Sequence, residues 1–203
     1  EDGSKIVKPV YNFIKIIDYS YSPDGKFFVM SAVQKGQTDI FVYAISGGST
    51  TQITNDIWDD LNPSFIDGGK NIVFSSNRDN DTIKTIEPNQ KLIKSYDLFV
   101  YNWSSKSNVL RRITNTPNVN ELQCQPYDDV RFSYLSDQNG IKNRYVGYFD
   151  SAIAYVDTVE HYRYFARSMP ITNYKFGILE QHIAPGANKL AEVVYHDGRY
   201  HIY

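Results

Sequence analysis

The 203-residue chain contains one cysteine, Cys124, and only two methionines. A single cysteine cannot form an intramolecular disulfide, and it excludes a metal or redox site of the Cys-x-x-Cys type. No apolar run reaches the roughly 18 residues that a membrane-spanning helix needs. The first ten residues contain neither an initiator methionine nor the apolar core of a signal peptide. We therefore expect a processed form or a segment of a longer protein, whose targeting signal lies outside this sequence.

The sequence also lacks an excess of charge of either sign. Lys and Arg together number 21 against 23 Asp and Glu, for a formal net charge of -2. No block of like charge interrupts this balance. A nucleic-acid footprint or a membrane-binding patch needs clustered positive charge, so neither partner is predicted.

Motifs for catalysis are absent as well. The chain has no G-x-S-x-G nucleophile elbow and no H-E-x-x-H zinc motif. Its four histidines are scattered: His161, His182, His196 and His201. Asp79-Asn80-Asp81 resembles the start of a calcium loop, but the acidic ligand that ends such a loop is missing. We predict no catalytic residue, no metal and no cofactor in this segment.

Aromatic residues are plentiful, with 17 Tyr and 11 Phe, and 41% of the chain is hydrophobic. Aromatic side chains pack well on pleated, half-buried surfaces, so this composition favours strands. The apolar runs Ile40 to Tyr43 and Leu98 to Tyr101 have no alternating polar residues, which indicates burial on both faces of the sheet. A sheet stacked between two others has this property. The fold class predicted is all-β.

A repeat organises the chain. The triplet Ile-Thr-Asn occurs at 53–55, 113–115 and 171–173, and each copy ends a unit of apolar strands joined by Pro- and Gly-containing turns. Four-stranded units of roughly 40 to 60 residues are typical of β-propeller blades. We predict antiparallel blades over 18–55, 62–115, 125–173 and 182–203, which amount to about three and a half blades. Insertions are expected at 79–95, as a projecting loop, and at 150–169, as extra strand or a short helix.

Several segments carry a family resemblance. They are "YSPDGKFFVMS" (21–31), "NPSFIDGGKNIVFSSNRD" (62–79), "DIFVY" (39–43), "QITN" (52–55) and "YLSDQNGIKNRYV" (134–146). They resemble the WD40-like Asp-Pro-Asp-Gly repeat of TolB, of the propellers that precede S9 peptidase domains, and of envelope proteins of Bacteroidetes-type bacteria. The third unit departs from the pattern, because Asp128-Asp129 replaces the Asp-Gly turn. The resemblance implies a ring of about five to eight blades, so further blades or a partner segment are expected outside this chain.

The connections that follow each triplet are the candidate binding region. In propellers these crossovers end near the central channel, where ligands and partner peptides bind. The residues predicted to form a partner-facing rim are Trp58, Asp59, Asp60, Asn62, Asn120 and Glu121. Trp58 is the first choice, since Trp is enriched among binding hot spots. The alternative is that these side chains only cap turns and satisfy backbone groups.

Three functions remain open at this level. The resemblance implies a non-enzymatic scaffold that binds protein partners through the channel face and the insertions of a bacterial envelope propeller. A second possibility is the N-terminal gating propeller of an S9-type serine peptidase, and a third is a glycan-binding propeller that uses exposed Tyr and Trp. Asp150-Ser151-Ala152 and Asp157-Thr158-Val159 resemble O-glycosylation acceptors of exported Bacteroidetes-type proteins, which favours an exported protein in the periplasm or at the cell surface.

Overall fold

The computed structural model describes residues 10, 13–79, 81 and 95–203. Within this part of the chain, fifteen strands form four antiparallel sheets, and no α-helix occurs. The sheets follow one another along the sequence as the blades of an unclosed β-propeller. This confirms the predicted all-β propeller fold.

Each blade is a simple meander. Blade 1 comprises β1 (Lys15–Tyr21), β2 (Phe27–Gln34), β3 (Gln37–Ala44) and β4 (Thr50–Gln52). Blade 2 comprises β5 (Asp60–Ile66), β6 (Asn71–Ser76), β7 (Asp97–Asn102) and β8 (Arg111–Arg112). Blade 3 comprises β9 (Glu121–Pro126), β10 (Arg131–Ser136), β11 (Asn143–Val156) and β12 (Glu160–Pro170). Blade 4 has three strands, β13 (Ile178–Ala184), β14 (Lys189–His196) and β15 (Arg199–Ile202).

The order of strands within every sheet is the order along the chain. The first strand of each blade is irregular, with a register shift in its pairing to the second strand. Asn62 in β5 and Gln123 in β9 lie at these shifts with positive φ angles of 50° and 54°. The first strands of neighbouring blades contact one another, which places them around a common centre. The crossover from one blade to the next therefore runs from its outermost strand to the innermost strand of the following blade.

Apolar side chains fill the spaces between blades. Ten buried residues from blades 1 and 2, including Ile40, Phe65 and Phe74, form one core. A second core of eight residues, including Val73, Cys124 and Phe132, lies between blades 2 and 3. Alternate residues of a middle strand thus enter two different cores, which explains the continuous apolar runs in β3 and β7.

The turns of neighbouring blades also meet. Gly69 has a φ of 90°, and a Cβ atom added to it would lie 3.2 Å from Cδ of Pro23. Pro23 belongs to the corresponding turn of blade 1. Glycine is required at position 69 both by its backbone conformation and by this close approach.

The second predicted insertion extends the third blade. β11 and β12 run as one hairpin with register from Tyr145 opposite Pro170 to Val156 opposite Glu160. Residues 151–160 are exposed, so the hairpin projects beyond the blade. Of the two predicted possibilities for 150–169, extra strand is the one observed. Most of the first insertion, 79–95, lies outside the described residues, as does Asn80 of the calcium-like Asp79-Asn80-Asp81 triplet.

Among the described residues, no helix is long and apolar enough to cross a lipid bilayer.

Candidate functional site

The Ile-Thr-Asn triplets form hydrogen bonds with the beginning of the third strand in blades 1 to 3. In blade 1, the Ile53 N–H donates to the carbonyl oxygen of Ile40 at 2.8 Å, and the Ile40 N–H donates back to Oγ1 of Thr54 at 2.9 Å. The same two hydrogen bonds recur in the other blades. In blade 2 they join Leu98 to Ile113 and Thr114, and in blade 3 they join Arg144 to Ile171 and Thr172. All four donor–acceptor distances are 2.8 Å. The threonine hydroxyl therefore replaces one backbone carbonyl of a strand.

A polar side chain at the start of the third strand completes this arrangement. Asp39 in blade 1 accepts a hydrogen bond from the N–H of Asp56, the first residue after the triplet, at 3.4 Å. Asp97 accepts the Thr116 N–H at 3.1 Å, and Asn143 accepts the Tyr174 N–H at 2.7 Å. We call each set an Ile-Thr-Asn clasp. It holds the beginning of the crossover against the blade that the chain is leaving.

The asparagine of the triplet takes no part in the clasp. Asn55, Asn115 and Asn173 are exposed in all three copies, and none has a side-chain hydrogen bond within the described structure. The threonine is the residue that the geometry uses. Threonine is suited to this role because its branched side chain has few rotamers and carries one donor and acceptor oxygen.

Three equivalent positions at each blade junction differ in charge. They are a polar residue at or near the start of the third strand, the residue after the triplet, and the residue that starts the next blade. At the first junction they are Asp39, Asp56 and Asp60; at the second, Asp97, Thr116 and Glu121; at the third, Asn143, Tyr174 and Ile178. The junctions thus carry three, two and no carboxylates on the same backbone framework.

At the first junction, one buried arginine forms ion pairs with two of the three carboxylates. The Arg78 side chain is fully buried and lies 2.7 Å from Oδ2 of Asp60 and 3.1 Å from Oδ2 of Asp56. Its guanidinium also donates to Oδ1 of Asp60 at 2.8 Å. Burial, together with the charges of the neighbouring aspartates, raises the pKa of Asp39 to about 7 and that of Asp56 to about 6. Two carboxyl groups at this junction therefore take up protons near neutral pH.

The same three aspartates have oxygens that lie within 4.8 Å of one another, a spacing that would suit a hard cation. The guanidinium of Arg78 already occupies the space beside Asp56 and Asp60, however. A second cation would be placed next to this positive charge in a low-dielectric interior. The observed arrangement is an ion-pair network rather than a metal centre.

We expect the stability of the protein to fall as the pH rises from 5 to 8. The pKa of Asp39 is raised above its ordinary value of 3.8 in the folded state, so the folded protein holds a proton that the unfolded chain has already lost. The Asp39 contribution to the free energy of unfolding then declines by about 1 kcal/mol per pH unit in this window. Asp56, whose pKa is also raised, adds a contribution of its own. The Asp39→Asn variant should lose the Asp39 part of the slope and should be more stable than wild type at pH 8, by on the order of 2 kcal/mol. Urea unfolding at several pH values measures both effects.

The chain itself supplies the reason to expect that asparagine fits at this position. Asn143 occupies the equivalent position of blade 3, where its Oδ1 accepts hydrogen bonds from the Thr172 hydroxyl and the Tyr174 N–H at 2.9 and 2.7 Å. Asp97→Asn is the matched control, because Asp97 is ion-paired with Arg112 and its replacement should give no gain. An unchanged pH slope in Asp39→Asn would contradict the prediction.

At the second junction, the corresponding region is open. A cleft of about 400 Å³ lies there, and we call it the junction cleft. Its described lining residues are Ser95, Asp97, Arg112, Asn115, Pro117, Asn118 and Asn120. Arg112 pairs with Asp97 and donates from Nε to the carbonyl oxygen of Thr114 at 3.0 Å. The lining residues offer amide, guanidinium and carboxylate groups to a ligand.

Glu121 lies beside this cleft but is itself only 3% exposed. Its Oε1 accepts a hydrogen bond from the Thr116 hydroxyl at 2.8 Å, and its Oε2 has no partner among the described groups. Burial raises the pKa of Glu121 to about 7. It is a second group that titrates near neutral pH at a blade junction.

The six predicted rim residues separate into two groups. Trp58, Asp60 and Glu121 are buried, with exposures of 0%, 0% and 3%. Asp59 is exposed, whereas Asn62 and Asn120 are half-buried. For the buried three, the expectation of a partner-facing rim is corrected, because their side chains are not accessible to a partner in this conformation.

The reason for the correction lies in the clasp. Asp56 is held against blade 1, and its Oδ1 accepts the Trp58 N–H at 2.9 Å. This turn directs the indole into the interior instead of the surface. Asn120 is the predicted residue that lines the junction cleft, and its Nδ2 donates to Oδ2 of Asp137 at 2.8 Å.

Sequence reasoning missed Asp39, Arg78, Arg112 and Asn118 as parts of the junctions. Asp39 and Asp97 carried a usable signal, since each precedes the same Phe-Val-Tyr run in an aligned repeat. Arg78 carried none, because nothing local distinguishes a buried arginine after a strand from an exposed one.

Similarity to known proteins is found in the structure and not in the sequence. No protein-family model matches the chain, and no curated protein matches it in sequence. A solved structure of TolB from Agrobacterium tumefaciens superposes with a TM-score of 0.63 at 19% identity, covering 88% of this chain and 53% of that one. TolB from Acinetobacter baumannii gives a TM-score of 0.61 at 17% identity, covering 93% and 40%.

The chain has the fold of a TolB-type β-propeller. It spans about half the length of the two TolB structures. The same propeller also matches a puromycin-hydrolysing peptidase of Mycobacterium tuberculosis, with a TM-score of 0.56 at 14% identity over 93% of this chain and 29% of that one. At such identities the similarity establishes the TolB-type fold and not an activity.

Proposed function

We propose that this TolB-type propeller is a non-enzymatic scaffold of the bacterial cell envelope, and that it binds an extended segment of a protein partner in the junction cleft between blades 2 and 3. The observation that carries the proposal is the contrast between equivalent junctions. The first is filled by the buried side chain of Arg78, whereas the second keeps an open volume of about 400 Å³. A cleft of this size lies within the usual range for ligand sites.

The chemistry of the lining favours a peptide. Asn115, Asn118 and Asn120 each provide donor and acceptor groups, and Asp97 and Arg112 provide one charge of each sign. Peptide backbone needs alternating donors and acceptors of this kind. Periplasmic or cell-surface location is part of the proposal and is supported by the TolB-type fold of the chain.

The glycan-binding alternative receives less support from the cleft. Among the described lining residues there is no aromatic side chain on which a sugar ring could stack. Trp58 is buried and Trp103 packs against Phe27. The gating-propeller alternative places its catalytic domain outside this chain, so the lining of the cleft does not bear on it.

Site-specific photo-crosslinking in the full-length protein, in its own host, tests the proposal. A photoreactive residue at position 115 should capture one exported protein, whereas the same residue at position 55 should not. Asn55 is the matched control, since it is exposed and occupies the same place in the triplet of the first, closed junction. The captured protein is then purified and its affinity is measured by calorimetry.

The affinity measurement decides between specific and incidental capture. Asn118 has a φ of 63°, so Asn118→Gly removes the amide without straining the backbone. Loss of one hydrogen bond should weaken binding by about two- to tenfold. Equal capture from positions 115 and 55, or an unchanged affinity in Asn118→Gly, would overturn the proposal. Hydrolysis of a fluorogenic peptide by the full-length protein would instead support a peptidase.

A further inference from the structure

The outermost strand of blade 3 differs from its counterparts in length. β4, β8 and β15 contain three, two and four residues, whereas β12 contains eleven. Proteins commonly keep edge strands short, because unpaired backbone groups along an edge can pair with another chain. β12 is the one outer strand in the described structure with a long edge of this kind.

The free edge of β12 can be assigned residue by residue. Within the described part of the chain, β12 pairs only with β11. The Ile171 N–H, just after β12, points to β11 and donates to the carbonyl oxygen of Arg144. Backbone groups alternate in direction along an antiparallel strand, and the pairing skips no residue of β12. The outward groups on which the edge depends therefore belong to Tyr162, Tyr164, Ala166 and Ser168, and Pro170 ends the edge because it has no N–H.

One face of the strand beside this edge is basic. Ala166 and Ser168 face the core between blades 2 and 3, so the odd-numbered residues face away from it. Arg163 is exposed on that outer face and lies over the ring of Phe165 at 5.9 Å, without an ion pair to a described residue. Arg167 pairs with Asp150 at 2.7 Å, yet its side chain remains 60% exposed.

This basic face disfavours a second copy of the chain as the occupant. In an antiparallel pair of β12 strands, residues that lie opposite each other must both point their backbone groups toward the partner or both away from it. Even-numbered residues point outward and odd-numbered residues inward, so an even residue lies opposite an even one and an odd residue opposite an odd one. A register centred on residue 163 places Arg163 opposite Arg163, and one centred on residue 165 places Arg163 opposite Arg167. Like charges directly opposite are destabilising.

We propose that β12 binds an extended acidic segment of a partner protein by strand addition. The backbone of the segment pairs with the four outward residues, and acidic side chains four positions apart lie beside Arg163 and Arg167. Strand addition of this type combines main-chain hydrogen bonds for affinity with side-chain contacts for selectivity. This surface is separate from the junction cleft, so the two proposals can fail independently.

Fluorescence anisotropy with labelled model peptides tests the proposal on the full-length protein. The probe is TEVTVEVT, whose two glutamates are four positions apart, and the control is TKVTVKVT. We expect binding of the first and not of the second. Arg163→Glu should weaken binding of TEVTVEVT by about three- to tenfold and should permit binding of TKVTVKVT. Arg199→Glu is the matched control, because Arg199 is an exposed arginine on β15, and it should change neither affinity.

A backbone-modified probe separates strand addition from general charge attraction. Methylation of alternate backbone nitrogens of TEVTVEVT removes its donors along one edge without changing its charge, and it should abolish binding. Binding that survives methylation, or an affinity for TEVTVEVT that Arg163→Glu leaves unchanged, would overturn the proposal. Absence of TEVTVEVT binding would also overturn it, and a concentration-dependent dimer in sedimentation would then indicate pairing between two copies.

Discussion

Replacing Arg78 with methionine is expected to lower the free energy of unfolding by about 3–5 kcal/mol at pH 8. Methionine keeps much of the volume but removes the positive charge that is paired with Asp56 and Asp60. Both carboxylates are fully buried, and an unpaired buried charge is far costlier than a surface one. Guanidinium-induced unfolding followed by tyrosine and tryptophan fluorescence measures the loss.

The loss should depend on pH. Burial and neighbouring aspartates raise the pKa values of Asp39 and Asp56 above 3.8, so at pH 5 these groups bind protons in the folded state and the remaining negative charge is smaller. Arg78→Met should therefore cost less at pH 5 than at pH 8. An equal loss at both pH values would contradict the assignment of Arg78 as the charge partner of this cluster.

Arg131→Met is the matched control for that variant. Arg131 also pairs with one carboxylate, Asp128, but the two side chains are 50% and 34% exposed. Ion pairs at the surface are screened by water and contribute at most about 1 kcal/mol. A loss in Arg131→Met as large as that in Arg78→Met would show that burial is not the deciding factor.

Replacing Trp58 with alanine is the second change for which a large effect is expected, also about 3–5 kcal/mol. The side chain is 0% exposed, so truncation leaves a cavity that the surrounding blades fill only in part. The indole Nε1 has no hydrogen-bond partner among the described groups. Trp58→Phe should therefore cost less than about 1.5 kcal/mol, because it keeps most of the ring volume and removes that unsatisfied donor. Chemical unfolding of the three proteins gives the comparison.

This experiment also decides between the interior and the rim positions of Trp58. Trp103→Ala is the control, since Trp103 is only half-buried against Phe27 and its loss should be smaller. If Trp58→Ala kept the stability of wild type but lost the partner identified by crosslinking, the indole would have to be accessible, and the interior position described above would be wrong.

Much of the architecture could be predicted because it rests on local patterns. The strands β2, β3, β6 and β7 contain the apolar runs from which they were predicted, and the turns at Gly25 and Gly69 have the positive φ angles that glycine tolerates. Strand and turn preferences act over a few neighbouring residues. They are therefore visible in a single sequence, and repetition of the same pattern identified the blade.

The junctions could be predicted only in part. Exposure of the residues after each triplet was expected because propeller crossovers end near the central channel, yet Asp60 and Glu121 are buried, and Arg78 and Thr116 provide them with partners. Arg78 is 18 residues from Asp60 in the sequence, and Thr116 is five residues from Glu121. The sequence does not show whether a polar residue has a hydrogen-bond or ion-pair partner in the fold, so its burial could not be predicted.

The sequence by itself determined that this chain forms four-stranded β-propeller blades, since alternation, turn chemistry and the Ile-Thr-Asn repeat are properties of neighbouring residues. Only the tertiary structure decided which junction is closed by an ion-pair network and which stays open, and that β12 keeps a long free edge. These features depend on blades packing side by side, which brings together residues such as Asp56 of the first crossover and Arg78 after β6 and fixes their burial. Burial in turn sets the strength of their charges, because water no longer screens them.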